Sequence, residues 1–126
     1  LNTVEQNTVK VQTITKQMAV NQGESYELQV NAGNLKKGQA KIVTVNVNPE
    51  EMKIQNASSF ETEDTLKEGV DGVTLLKYQP KKGVIVLKLT GSLERGDSYE
   101  TYQSIPVEAK ITGKTTVEIT LTEEGK

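Results

Sequence analysis

Three groups of carboxylates stand close together in the chain: Glu50-Glu51, Glu61-Glu63-Asp64 and Glu123-Glu124. Paired carboxylates serve general acid–base catalysis when a cleft holds one of them in a desolvated setting and leaves the other ionised. These groups lie in polar loop or terminal stretches with nothing to desolvate them, so they read as solvated surface charge. Oxygen donors for calcium are present at Asn46, Asn48, Glu50, Asp64, Asp71 and Asp97. No D-x-D-x-D-G loop gathers them, and Asp71-Gly72 and Gly96-Asp97 have the chemistry of turns. The expectation is therefore that no metal or other cofactor is bound. Nucleophilic catalysis lacks its parts, because the chain has neither His nor Cys to activate a hydroxyl or supply a thiolate. Neither G-x-G-x-x-G nor the P-loop pattern occurs. One aromatic–cationic cluster remains, in which Tyr99 and Tyr102 flank a loop beside Arg95. It is the candidate ligand-binding set, suited to a small groove for a soluble glycan. Tyr26 and Tyr78 read as core or rim residues and Tyr99 as the start of a strand.

The elements that must position these residues are built from a narrow set of side chains. The 126 residues suit one domain, with 34% hydrophobic residues but only 4% aromatic, one Phe and no Trp. The core must then consist of Val, Ile, Leu and Thr, the branched side chains that fit a pleated surface. Charged residues make up 25% and the net charge is −2, which provides no basic face for nucleic acid. Without cysteine there is no disulfide framework. No apolar run approaches the roughly 20 residues that span a bilayer. The chain begins at Leu1 rather than Met, which points to a module excised from a longer protein. Asn56-Ala57-Ser58 fits the N-glycosylation sequon.

Alternation with a period of two runs from end to end. Val9 and Val11 alternate with polar residues, and the phase then slips at Ile14, as a bulge or a switch between sheets would produce. Gln22-Gly23-Glu24 is a turn, after which Tyr26, Leu28, Val30 and Ala32 share a face. Leu35 is expected to tuck beneath the following turn. Val43, Val45 and Val47 share the next inward face, and Pro49 then ends pairing because it lacks an N–H. Met52 and Ile54 resume the alternation, so the Asn48-Pro49 break predicts a corner where the chain crosses to the opposite sheet, with Glu50 and Glu51 solvated. Residues 55–72 are polar, with Phe60 and Leu66 as anchors. Val73–Tyr78 and Val84–Leu89 flank a Pro- and Gly-containing turn and are apolar on both parities, which predicts a hairpin of two central strands. Ile105, Val107, Ala109 and Ile111 follow, with Pro106 implying an edge strand or bulge. Val117, Ile119 and Leu121 close the set. Strands at this spacing, with no 3.6-residue periodicity, predict an all-β, two-sheet antiparallel sandwich formed by residues 1–126 as a single module.

Three stretches carry a resemblance in order along the chain. VNQGESYELQV is similar to the turn-plus-strand entry of cohesin-type modules, VNVNPEEMKI to their Asp-Pro corner, and IPVEAKITGKTTVEITL to their closing strand pair. Together they span the chain from Val20 to Leu121. Asn48 stands where that family has Asp, and residues 55–72 have no counterpart. The resemblance implies a jelly-roll sandwich of about nine strands, related to cohesins and carbohydrate-binding modules. It also implies an extracellular role in a bacterial surface or wall-associated protein. Dockerin recognition is not carried over.

The expected function is non-catalytic: protein–protein interaction, adhesion or spacing, by a monomeric module whose partner is a protein or a cell-wall glycan. The alternative is a carbohydrate-binding module using Tyr99 and Tyr102. A Lys–Asn crosslink of the kind found in wall-associated sandwiches is disfavoured, since Thr115–Thr122 contains no Asn.

Overall fold

The computed structural model describes residues 11–55, 72–91 and 100–123. Eight strands form among them: β1 Val11–Val20, β2 Ser25–Gly33, β3 Ala40–Val47, β4 Met52–Ile54, β5 Gly72–Gln79, β6 Val84–Thr90, β7 Thr101–Ala109 and β8 Gly113–Glu123. They make a five-stranded sheet in the order β1-β8-β3-β6-β5 and a three-stranded sheet in the order β2-β7-β4. All pairings are antiparallel. The two-sheet sandwich expected from the alternation is thus the architecture of the chain, with eight strands in the described residues against the nine or so anticipated. Every connection except the β5–β6 hairpin carries the chain from one layer to the other.

The layers meet through the inward parity of each strand. Val43, Val45 and Val47 of β3, Ile85, Leu87 and Leu89 of β6, and Val117, Ile119 and Leu121 of β8 face Leu28, Val30, Met52, Ile54, Ile105 and Val107 of the smaller sheet. No aromatic ring lies in this buried set. Burying each such aliphatic chain contributes about 1.5–3 kcal/mol. Leu35 is completely buried although it lies in a connection, as its isolated apolar character predicts. Gly91 accounts for the tight fit there: a Cβ on it would stand 2.3 Å from the Lys36 carbonyl oxygen.

The Asn48-Pro49 break is a layer-crossing corner, with β3 in the large sheet and β4 in the small one. The Asn48 carbonyl accepts from the Glu51 and Met52 amides, both at 2.9 Å. Its side-chain Oδ1 accepts from the Glu50 amide at 2.9 Å, the short-range turn bond for which Asn is suited. The β5–β6 turn lies against this corner, and the Val47 amide donates to the Gly83 carbonyl at 2.8 Å. Gly83 has φ +74°, and a Cβ there would fall 2.1 Å from the Val47 carbonyl oxygen.

Four local expectations require correction. The phase slip at Ile14 is neither a bulge nor a sheet switch, because β1 pairs with β8 without interruption from Val11↔Thr122 to Val20↔Gly113. Instead β1 is an edge strand that the smaller sheet leaves largely uncovered, so most of it is under no pressure to alternate. Strand β5 is also an edge, although apolar on both parities, and its register shifts between Leu75 and Lys77, leaving Leu76 48% exposed. Only β6 of that hairpin is internal. Pro106 lies in β7, the middle strand of the small sheet. It is tolerated because β4 ends at Ile54, opposite Val107, so the missing donor falls beside the strand's end. The last correction is Glu51, which is half-buried and accepts a 2.8 Å hydrogen bond from the buried Thr115 hydroxyl rather than facing open solvent.

Candidate functional site

The sandwich presents two outer faces, and the antiparallel registers specify which side chains stand together on each. On the five-stranded sheet three cross-strand rows follow from the pairings. The first runs Thr13, Thr120, Thr44, Val86 and Lys77. The second runs Val11, Thr122, Ile42, Lys88 and Thr74. The third runs Thr15, Glu118, Asn46, Val84 and Gln79. Threonine, valine and isoleucine dominate these rows, and Lys77, Lys88 and Glu118 are their only charges. The residues of β3 and β6 in the rows are half-buried by their neighbours, giving a broad, stiff surface. β-Branched side chains contribute to this stiffness because their χ1 is restricted.

The face of the three-stranded sheet is smaller and more polar. Ser25, Glu27, Gln29 and Asn31 of β2 stand opposite Glu108, Pro106, Ser104 and Tyr102 of β7. The Ser104 hydroxyl donates to Glu27, and Gln55 Nε2 donates to Glu108 Oε1 at 3.5 Å. Tyr102 is 57% exposed. Its hydroxyl donates to Glu100 Oε1 at 3.1 Å, and Asn31 Nδ2 donates to the same carboxylate at 3.3 Å and to the phenol oxygen at 3.4 Å. Donation to Glu100 and the nearby carboxylate charge both resist ionisation of Tyr102, raising its pKa above the ordinary tyrosine value.

Of the predicted ligand-binding set, Tyr102 lies on this face, while Arg95 and Tyr99 fall outside the described residues. Asn31 and Glu100, which share the hydrogen-bond network of Tyr102, were not picked out in the sequence. For Asn31 the available signal was its outward parity, two positions beyond Gln29 on a strand whose inward residues are Leu28, Val30 and Ala32. Tyr26 and Tyr78 pack against the core at its rim, as expected. The Tyr78 hydroxyl donates to the Ile54 carbonyl at 2.8 Å, and the Tyr26 oxygen accepts from the Asn21 amide at 2.8 Å.

Among the described residues the other candidate groups do not converge. Glu50 is exposed on the corner, Glu51 is engaged by Thr115, and Glu123 ends β8. Asn46 points from the large face, whereas the Asn48 side-chain oxygen is occupied within its turn. Glu61, Glu63, Asp64, Asp71, Asp97, Glu124 and the Asn56 sequon lie outside the described residues. Among the described residues no three carboxylates come together as a metal site would require. No helix there is long and apolar enough to cross a membrane. The chain matches no family model, no curated protein and no solved structure.

Proposed function

We propose that the chain is a non-catalytic extracellular module, cohesin-like and belonging to a bacterial cell-surface protein, that binds a protein partner through the outer face of its five-stranded sheet. The observation that carries this reading is the three-row array of Thr, Val and Ile, with few charges, on a rigid sheet. Such a surface costs little to desolvate, since threonine hydroxyls can exchange water for partner hydrogen bonds while their methyl groups pack. Stiff side chains also lose little conformational freedom on binding.

The test is capture of surface and secreted proteins by the immobilised module and by two variants. Val86→Arg places a long cation at the centre of the array, where like-sized interface disruptions weaken binding by at least about tenfold. Tyr102→Ala leaves this face untouched. A partner lost with Val86→Arg and retained with Tyr102→Ala supports the proposal; the reverse pattern, or steady hydrolytic turnover, overturns it.

A second reading, glycan binding, rests on Tyr102. An exposed phenol ring beside the Asn31 amide and the Glu100 carboxylate joins an apolar stacking surface to hydrogen-bonding groups, the combination that sugars require. Glycan-array binding abolished by Tyr102→Ala and unaffected by Val86→Arg would establish that reading.

A further inference from the structure

We propose that two copies of the chain associate edge to edge through β1, antiparallel and centred on Ile14, joining their five-stranded sheets into one continuous sheet. This inference is independent of the partner face described above. It replaces the monomer expected from sequence alone.

The four sheet edges are not equally protected. Strand β5 has a register shift between Leu75 and Lys77, β2 has one between Asn31 and Gly33, and β4 is only three residues long. Those are the usual devices that prevent strand addition. β1 has ten residues in unbroken register, contains neither Gly nor Pro, and carries a single charge, Lys16. Two of its apolar residues are exposed, Val11 at 59% and Ile14 at 37%.

The inward parity of β1 explains the exposure of Ile14. Gln12, Ile14 and Lys16 stand opposite the buried Leu121, Ile119 and Val117, yet are themselves exposed. Among the described residues the smaller sheet stops short of β1, leaving a ledge. A second ledge related by a two-fold axis perpendicular to the sheet completes it, because that operation keeps inward residues inward.

Charge disfavours the registers centred on or beside Lys16. Centring the axis on Lys16 sets two ammonium groups directly opposite each other, and centring it on Thr15 sets them diagonally adjacent. With the axis at Ile14, Lys16 faces Gln12 of the second copy, Thr13 faces Thr15, and the two Ile14 side chains cover one another. A net charge of −2 per chain adds little long-range repulsion.

Sedimentation equilibrium of the full chain over a concentration series should reach twice 13.8 kDa. Ile14→Lys, which faces two ammonium groups across the axis, should weaken the dimer at least about tenfold. Because the chain has no cysteine, single-Cys variants then report the register. Ile14→Cys should form an intermolecular disulfide on oxidation, since opposed Cα atoms about 4.5–5.5 Å apart suit that bond. Gln12→Cys, which keeps Lys16, should not, its Cα atoms being roughly 13 Å apart along the strands. A mixture of Gln12→Cys and Lys16→Cys chains should crosslink to each other. A monomer at every concentration, a dimer indifferent to Ile14→Lys, or faster crosslinking by Gln12→Cys than by Ile14→Cys would overturn the proposal.

Discussion

Replacing Gly83 by Ala tests whether the β5–β6 turn and the Asn48-Pro49 corner act as one unit. Two effects add at this position. The left-handed φ of +74° penalises any L side chain by about 1–2 kcal/mol. A Cβ would also stand 2.1 Å from the Val47 carbonyl oxygen and 3.2 Å from Pro49 Cδ, so the turn must move off the corner. That movement stretches the 2.8 Å bond from the Val47 amide to the Gly83 carbonyl, worth about 1 kcal/mol net and more if the amide is left unsatisfied. The expected loss is about 2–3 kcal/mol, rising to about 5 kcal/mol if the amide is left unsatisfied, a large part of the stability of a domain of this size. Two other glycines separate the contributions. Gly23 has φ +87° with nothing within 4 Å of its Cβ position, so Gly23→Ala carries the backbone strain alone, about 1–2 kcal/mol. Gly91 meets the Lys36 carbonyl at 2.3 Å without a left-handed φ, so Gly91→Ala carries a clash alone. Urea denaturation of the three variants, read from the midpoints at constant m, gives the differences. If Gly83→Ala costs no more than Gly23→Ala, the turn is not wedged against the corner and the reasoning fails.

Leu35→Ala should cost about 2–5 kcal/mol despite lying in a connection, because its side chain is fully buried, whereas Leu76→Ala on the exposed edge should change stability by under about 1 kcal/mol. Thermal or urea unfolding of the pair checks the contrast, and equal losses would contradict the assigned burial. In an ultraviolet pH titration of the folded chain, the tyrosinate signal that disappears in Tyr102→Phe should have its midpoint above 10.0 and move down in Glu100→Gln. The sign follows from the neutral phenol being the form that donates to Glu100: the bond is present below the ordinary tyrosine pKa and is lost as pH rises through the elevated one. A midpoint unchanged by Glu100→Gln would show that the carboxylate does not hold the hydroxyl.

The alternation of Val43, Val45 and Val47, the halt at Asn48-Pro49 and the resumption at Met52 and Ile54 were sufficient to define a strand, a corner and a second strand in the other layer. Those features are legible because each rests on local chemistry: period-two burial, a missing amide donor, and a side chain that bonds its own turn. The same holds for the aliphatic core and for Leu35, an apolar residue with no polar alternative to burial. Strand order is a different kind of property. An apolar edge strand such as β5 and an internal strand such as β6 have similar local patterns, and only pairing across the chain distinguishes them. Pro106 was legible as a break in pairing, but that it sits in a middle strand depends on β4 being short. The exposure of Ile14 likewise depends on how far the opposing sheet extends, which no residue near Ile14 encodes. The two candidate faces follow from the same non-local registers: Thr44 becomes part of an array through Thr120 and Val86, and Asn31 becomes a partner of Tyr102 across 71 positions. Sequence alone determined the class of structure, because it follows from side-chain type and spacing. The tertiary structure decided which surfaces those side chains form, because a surface is made of residues that are distant along the chain.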